Sequence, residues 1–190
     1  GSTAVSMQAE MWVMPVSEFI KLPEFRPHQE LLAQGKLSRW DSSMNHVFFL
    51  SHQWTSFEHP DHTMLQLRTF QRLITRMVCG QCPDTVPGFA DAIFFPKSVK
   101  ITSKKWREIA ESSFVWMDFF SVPQQGSYYA TETLTELTKA VDSIPAFIER
   151  CTHFFVVCPT IQHDDVRDVV CDFASWERRG WCRCSRDARA

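Results

Sequence analysis

Hydrophobic and polar positions alternate along this chain in blocks that predict a succession of strands and helices. The run His46-Val47-Phe48-Phe49-Leu50-Ser51 is apolar without interruption and short, the pattern of a strand buried on both faces. A second such run covers 114–119, and a third covers 153–158 before Pro159. Between the first two, Leu67, Phe70, Ile74, Met77 and Val78 recur at helical spacing and predict a helix over 64–79, with Thr63 as its cap. Thr102 or Ser103 opens a shorter helix through Ala110. Leu134, Leu137, Val141, Ile144 and Ile148 make the stripe of a helix over 131–150, where Thr133 and Glu136 form a capping box and Pro145 predicts a kink or a break. A further helical segment is expected over 164–176. Residues 1–45 read as a polar lead-in with short helices, one of them from His28 to Gln34 and stopped by Gly35. Strands that alternate with helices predict an α/β domain over 46–190, built on a parallel sheet.

Composition narrows this picture modestly. A formal net charge of -2 gives no basic field for nucleic acid or an anionic membrane surface. No apolar run reaches the roughly 20 residues of a membrane-spanning helix, and neither a signal peptide nor a membrane partner is expected. Seven cysteines, an odd number, are scattered through apolar segments, which suggests reduced thiols and a cytoplasmic protein.

Each of the first two strand runs stops abruptly in polar residues, Ser51-His52-Gln53-Trp54 and Asp118 through Gln124. In an open parallel sheet the ligand crevice lies beyond the carboxyl ends of the strands. Ser51, His52 and Trp54 are therefore candidate binding residues, against the alternative of a structural histidine beside a core tryptophan. Asp118 is read as lying inside the second strand, where a carboxylate needs a partner; His52 and Arg183 are the candidates. Trp116 and Trp181 offer faces on which a ring can stack, although core packing is the competing reading for Trp116. Gln124 suits either a ligand amide or a turn. The pair Cys79-Gly80-Gln81-Cys82 lacks the strand-then-helix setting of a redox dithiol, and together with His59 and His62 it lacks a second correctly spaced pair for zinc, so no metal is expected.

Four blocks carry a resemblance: Phe49 to Trp54, Trp116 to Gln124, Ser143-Ile144-Pro145-Ala146, and Arg179-Gly180-Trp181-Cys182-Arg183. In this order they resemble Toll/interleukin-1-receptor-like (TIR-like) domains of unicellular eukaryotes and bacteria. The resemblance implies a flavodoxin/TIR-like three-layer sandwich with a parallel sheet, shortened at its C-terminus. It also implies NAD or a related nucleotide as ligand, nicotinamide–ribose cleavage in enzymatic members, and self-association with like domains in signalling and immunity. On that reading Ser51, His52, Trp54, Trp116, Trp181 and Arg183 would line the nucleotide site, with Asp118 as a catalytic-site residue that organises the pocket or holds a ribose hydroxyl, against the alternative of a purely structural ion pair. The family's catalytic Glu falls on Ser185, a hydroxyl that carries no charge. The same resemblance therefore accommodates an interaction module without turnover.

Overall fold

The computed structural model describes residues 6–86, 100–125 and 132–178. Its centre is β3 (Val47–Ser51), whose residues are all buried. β3 pairs in parallel with β4 (Phe114–Trp116) on one side and with β5 (His153–Val156) on the other. Side chains of a strand alternate between the two faces of its sheet. Phe48 and Leu50 accordingly enter one core and Val47 and Phe49 the other. The first core is closed by α3 (Leu65–Val78) through Leu67, Phe70, Ile74 and Met77, and by α4 (Ser103–Glu111) through Trp106, Ile109 and Ala110. The second is closed by α6 (Glu132–Asp142) through Ala140 and by α7 (Ile144–Arg150) through Ile144, Phe147 and Ile148. Helices on both faces explain why β3 has no polar side before its last residue.

The sheet is mixed, not wholly parallel. Its order is β2-β1-β4-β3-β5. β1 (Trp12–Pro15) and β2 (Ser38–Arg39) come from the segment expected to be a polar lead-in. β1 lies antiparallel to β4, with Met14 opposite Val115 and Pro15 opposite Phe114, and β2 lies antiparallel to β1. The apolar run at Met11 to Met14 is too short to stand out in the sequence, yet Met11, Val13 and Met14 are fully buried. Pro15 ends the strand, a position where its missing amide donor is tolerated. After β1, α1 (Val16–Phe19) adds Phe19 to the first core, α2 (His28–Ala33) adds Leu31, and the segment between them adds Leu22 and Phe25.

Three local expectations shift. The strand expected through residue 119 stops at Trp116, and Asp118 opens the single turn α5 (Asp118–Ser121). The helix over 131–150 breaks, as Pro145 leads one to expect, but at Ser143, two residues before the proline. Proline then occupies the first turn of α7, where its lack of an N–H does no harm. In place of one helix over 164–176, residues 161–178 form a hairpin of β6 (Ile161–Gln162) and β7 (Val170–Cys171) followed by the short α8 (Phe173–Arg178). Among the described residues no helix is long and apolar enough to cross a membrane.

Candidate functional site

Sheet register sets the site. Phe49 of β3 lies opposite Trp116 of β4 in a parallel pair, so both chains leave the sheet at the same end. Three residues past Phe49 is His52, and two past Trp116 is Asp118. His52 Nε2 and Asp118 Oδ1 stand 2.8 Å apart, with the imidazole 3% exposed and the carboxylate side chain 32% exposed. The Phe119 amide donates to Asp118 Oδ1 at 2.7 Å, and the Trp54 indole N–H reaches Oδ2 at 3.5 Å. Burial by itself raises the pKa of Asp118. The His52 charge and hydrogen bond, the Phe119 amide and the Trp54 indole oppose it, and together they hold the carboxyl below its ordinary value. The site therefore presents an ionised carboxylate at neutral pH.

Asp118 and Trp54 form one wall of a cleft of ≈ 230 Å³. Val122 and Gln124 continue that wall, and Leu137, Val141 and Ile144 from α6 and α7 face it. Gln124 is held by its own turn, since Nε2 donates to the carbonyls of Val122 at 2.8 Å and Asp118 at 3.3 Å. Its backbone is clamped by Gln29 of α2, whose Nε2 donates to the Gln124 carbonyl at 2.8 Å. These bonds leave the Gln124 Oε1 as an acceptor for a ligand. The cleft thus joins one anionic group and an amide to an apolar wall, a combination suited to a flat ring carrying a hydroxylated substituent.

The segment below the cleft is tied to the C-terminal hairpin and helix. Trp176, buried on α8, donates from Nε1 to Ser51 Oγ at 3.1 Å. Gln53 exchanges hydrogen bonds with Ser175 Oγ, at 2.9 Å and 3.1 Å. Residues 51 to 54 are thereby fixed from beneath while His52 and Trp54 address Asp118.

Of the sequence-predicted residues, His52, Trp54 and Asp118 come together, and His52 is the partner that Asp118 required. Ser51 is adjacent but buried, with its hydroxyl engaged by Trp176. Trp116 requires correction as a ligand-stacking residue. It is 1% exposed, stacked on Phe49 at 4.6 Å and tilted against Phe147 at 5.9 Å, so no face is open to a ligand. Trp181, Arg183 and Ser185 lie outside the described residues. The apolar wall of Leu137, Val141 and Ile144 was visible only as a core stripe; the structure shows that it also lines the cleft. Nothing in the sequence marked Gln29. His59 and His62 serve the 55–62 turn: His59 Nδ1 accepts from the Asp61 amide at 3.0 Å, and His62 Nδ1 pairs with Thr55 Oγ1 at 2.9 Å. Among the described residues no cluster of three or more His, Cys, Asp or Glu is arranged to hold a metal ion.

No family model, no curated protein and no solved structure matches this chain.

Proposed function

We propose that the chain is a TIR-like α/β module that binds NAD, or a related nucleotide, by its nicotinamide–ribose end in the cleft beside Asp118. The observation that carries this reading is the ionised Asp118, anchored by His52 and Trp54 beyond the carboxyl ends of two adjacent parallel strands. Strand order supports it. The three parallel strands run β4-β3-β5, second-first-third along the chain, as a flavodoxin-like sheet begins. Volume supports a partial fit: ≈ 230 Å³ is below the roughly 300–1,000 Å³ of pockets that enclose drug-sized ligands. One nucleoside end would enter the cleft and the remainder of a dinucleotide would extend across the rim. Asp118 would accept from ribose hydroxyls, Gln124 would accept from the carboxamide N–H, and the α6–α7 wall would cover the ring. Cys79 and Cys82 are free thiols, which agrees with a reducing compartment such as the cytoplasm.

Cleavage is the less supported half of the reading. A carboxylate near the anomeric carbon favours the positive charge that develops as the glycosidic bond breaks. Asp118 supplies one such group, but Ser185, at the family's Glu position, supplies none. Binding with weak or no turnover is therefore the expected behaviour. The uncharged Ser185 also favours a second reading, a self-associating signalling module in which nucleotide only biases assembly. The test is calorimetric titration with NAD, run together with nicotinamide release and sedimentation, on the wild type, Asp118→Asn and Ser185→Glu. Loss of the Asp118 charge is expected to weaken NAD binding about tenfold, or about 1.4 kcal/mol. Ser185→Glu is expected to increase nicotinamide release. Failure of the wild type to bind NAD, or equal binding by Asp118→Asn, would refute the nucleotide reading. Assembly that depends on protein concentration, with no bound nucleotide, would establish the second.

A further inference from the structure

The outer face of α3 carries a feature that the cleft does not use. Leu65, Arg68, Arg72 and Arg76 are spaced three, four and four residues apart, so they form one stripe along the helix. With Ile20, Gln71 and Thr75 they line an open groove of ≈ 750 Å³. Among the described residues, none of the three guanidinium groups has a carboxylate partner within ion-pair distance. Arg68 donates to the carbonyls of Leu22 at 3.3 Å and Pro23 at 2.6 Å, and to Gln71 Oε1 at 2.8 Å. Arg72 Nε reaches only the Arg68 carbonyl at 3.3 Å, and Arg76 Nη2 only the Gln81 carbonyl at 3.4 Å. Other described cations are mixed in this respect: Lys21 pairs with Glu18, Arg39 with Glu10, Lys100 with Asp84, Arg107 with Glu111 and Lys139 with Glu136, whereas Lys36, Lys104 and Arg167 stand singly among the described residues; the α3 row differs in setting three such cations side by side along one groove.

We propose that this groove docks an acidic amphipathic helix of a partner protein. Like charges four residues apart on a helix repel, so the Arg68–Arg72–Arg76 row gains from an anion supplied from outside. At 1.5 Å rise per residue the row spans about 12 Å, the span of acidic residues at i, i+4 and i+8 on a second helix. Arg68 is already held in place by backbone carbonyls, so little side-chain freedom is lost there on binding. Leu65, 36% exposed, and Ile20 add apolar contacts that an amphipathic helix can cover. A nucleic acid fits less well. Its binding surfaces use a broad basic field and, for single strands, aromatic stacking faces, whereas the chain has a formal net charge of -2 and no aromatic residue lines the groove among the described residues. The groove is on α3, away from the residues lining the Asp118 cleft, and the proposal stands independently of any nucleotide there.

The test uses a fluorescein-labelled synthetic helix with three Glu residues spaced four apart and Leu on the adjoining positions. A matched peptide with Gln for Glu and a homopolymeric RNA serve as comparison ligands. Anisotropy should report binding of the Glu peptide that weakens with added salt and is weaker for the Gln peptide. Arg72→Glu with Arg76→Glu should reduce it by about tenfold or more with an unchanged melting temperature. If that double variant is unfolded, Arg72→Gln with Arg76→Gln must show a loss in the same direction. Equal binding by folded variants or by the Gln peptide would overturn the proposal. RNA binding tighter than the peptide would overturn it in favour of a polyphosphate. Wild-type self-association that the variants abolish would assign the groove to a second copy of the chain.

Discussion

Coupling between His52 and Asp118 is the quantity on which the candidate site stands, and it can be measured without knowing any ligand. The perturbation is a cycle of His52→Phe, Asp118→Ala and both together. A hydrogen bond to a charged group contributes about 1.5–3 kcal/mol, and breaking a fully buried pair costs about 3–5 kcal/mol. Here the imidazole is 3% exposed, but the carboxylate side chain retains 32% exposure. Water therefore recovers part of the loss, and the Phe119 amide and Trp54 indole are lost in both backgrounds and cancel. A coupling energy of about 1–2 kcal/mol is expected. Urea unfolding of the four proteins at neutral pH gives it directly. The pH dependence supplies an internal check. The folded-state pKa of Asp118 is depressed, so its contribution is fully present above the unfolded carboxyl value of about 3.9 and is lost as pH falls through the folded value. The stability gap between wild type and Asp118→Ala should thus hold at neutral pH and narrow below about pH 4. A coupling below about 0.5 kcal/mol at neutral pH, or a gap that does not narrow in acid, would refute the reasoning.

Two further predictions concern how the cleft is supported. Asp61 is fully buried and shares the role expected of Thr63: its Oδ2 accepts the Leu67 amide at 2.8 Å at the start of α3, Thr63 Oγ1 accepts the Leu65 amide at 3.3 Å, and Met64 turns the chain with φ 56°. Asp61→Ala should lower stability by about 2 kcal/mol and Asp61→Asn by clearly less; equal urea midpoints for wild type and Asp61→Ala would contradict this. Ser143, at the break between α6 and α7, accepts the amides of Gln8 at 2.8 Å and Ala9 at 3.2 Å and donates to the Lys139 carbonyl at 2.7 Å. Ser143→Ala should cost about 1–2 kcal/mol and speed hydrogen exchange at the Gln8 and Ala9 amides; unchanged exchange at both would show that the hydroxyl does not hold the N-terminal segment.

Much of the architecture was legible in local pattern. Five consecutive buried residues in β3, the apolar stripe of α3, Thr102 capping α4 and the break near Pro145 all follow from periodicity and backbone chemistry that act within a few residues. The polar tips at His52, Trp54 and Asp118 were legible as well, because a buried run that ends in polar groups marks where a sheet opens. Other features were not. Met11 to Met14 reads as a scrap of apolar chain until β4 offers it an edge, along which it pairs antiparallel. Trp116 and Trp54 are the same residue type at neighbouring strand ends. Trp116 is the last residue of β4, where strand alternation turns it into the core beneath α7, whereas Trp54 lies three residues past the end of β3 and reaches the rim. The His52–Asp118 bond joins residues 66 apart, and the Trp176–Ser51 bond joins residues 125 apart. Such contacts depend on which strands become neighbours. That choice is made by the burial of whole faces against one another, a sum over the folded chain that no local segment contains.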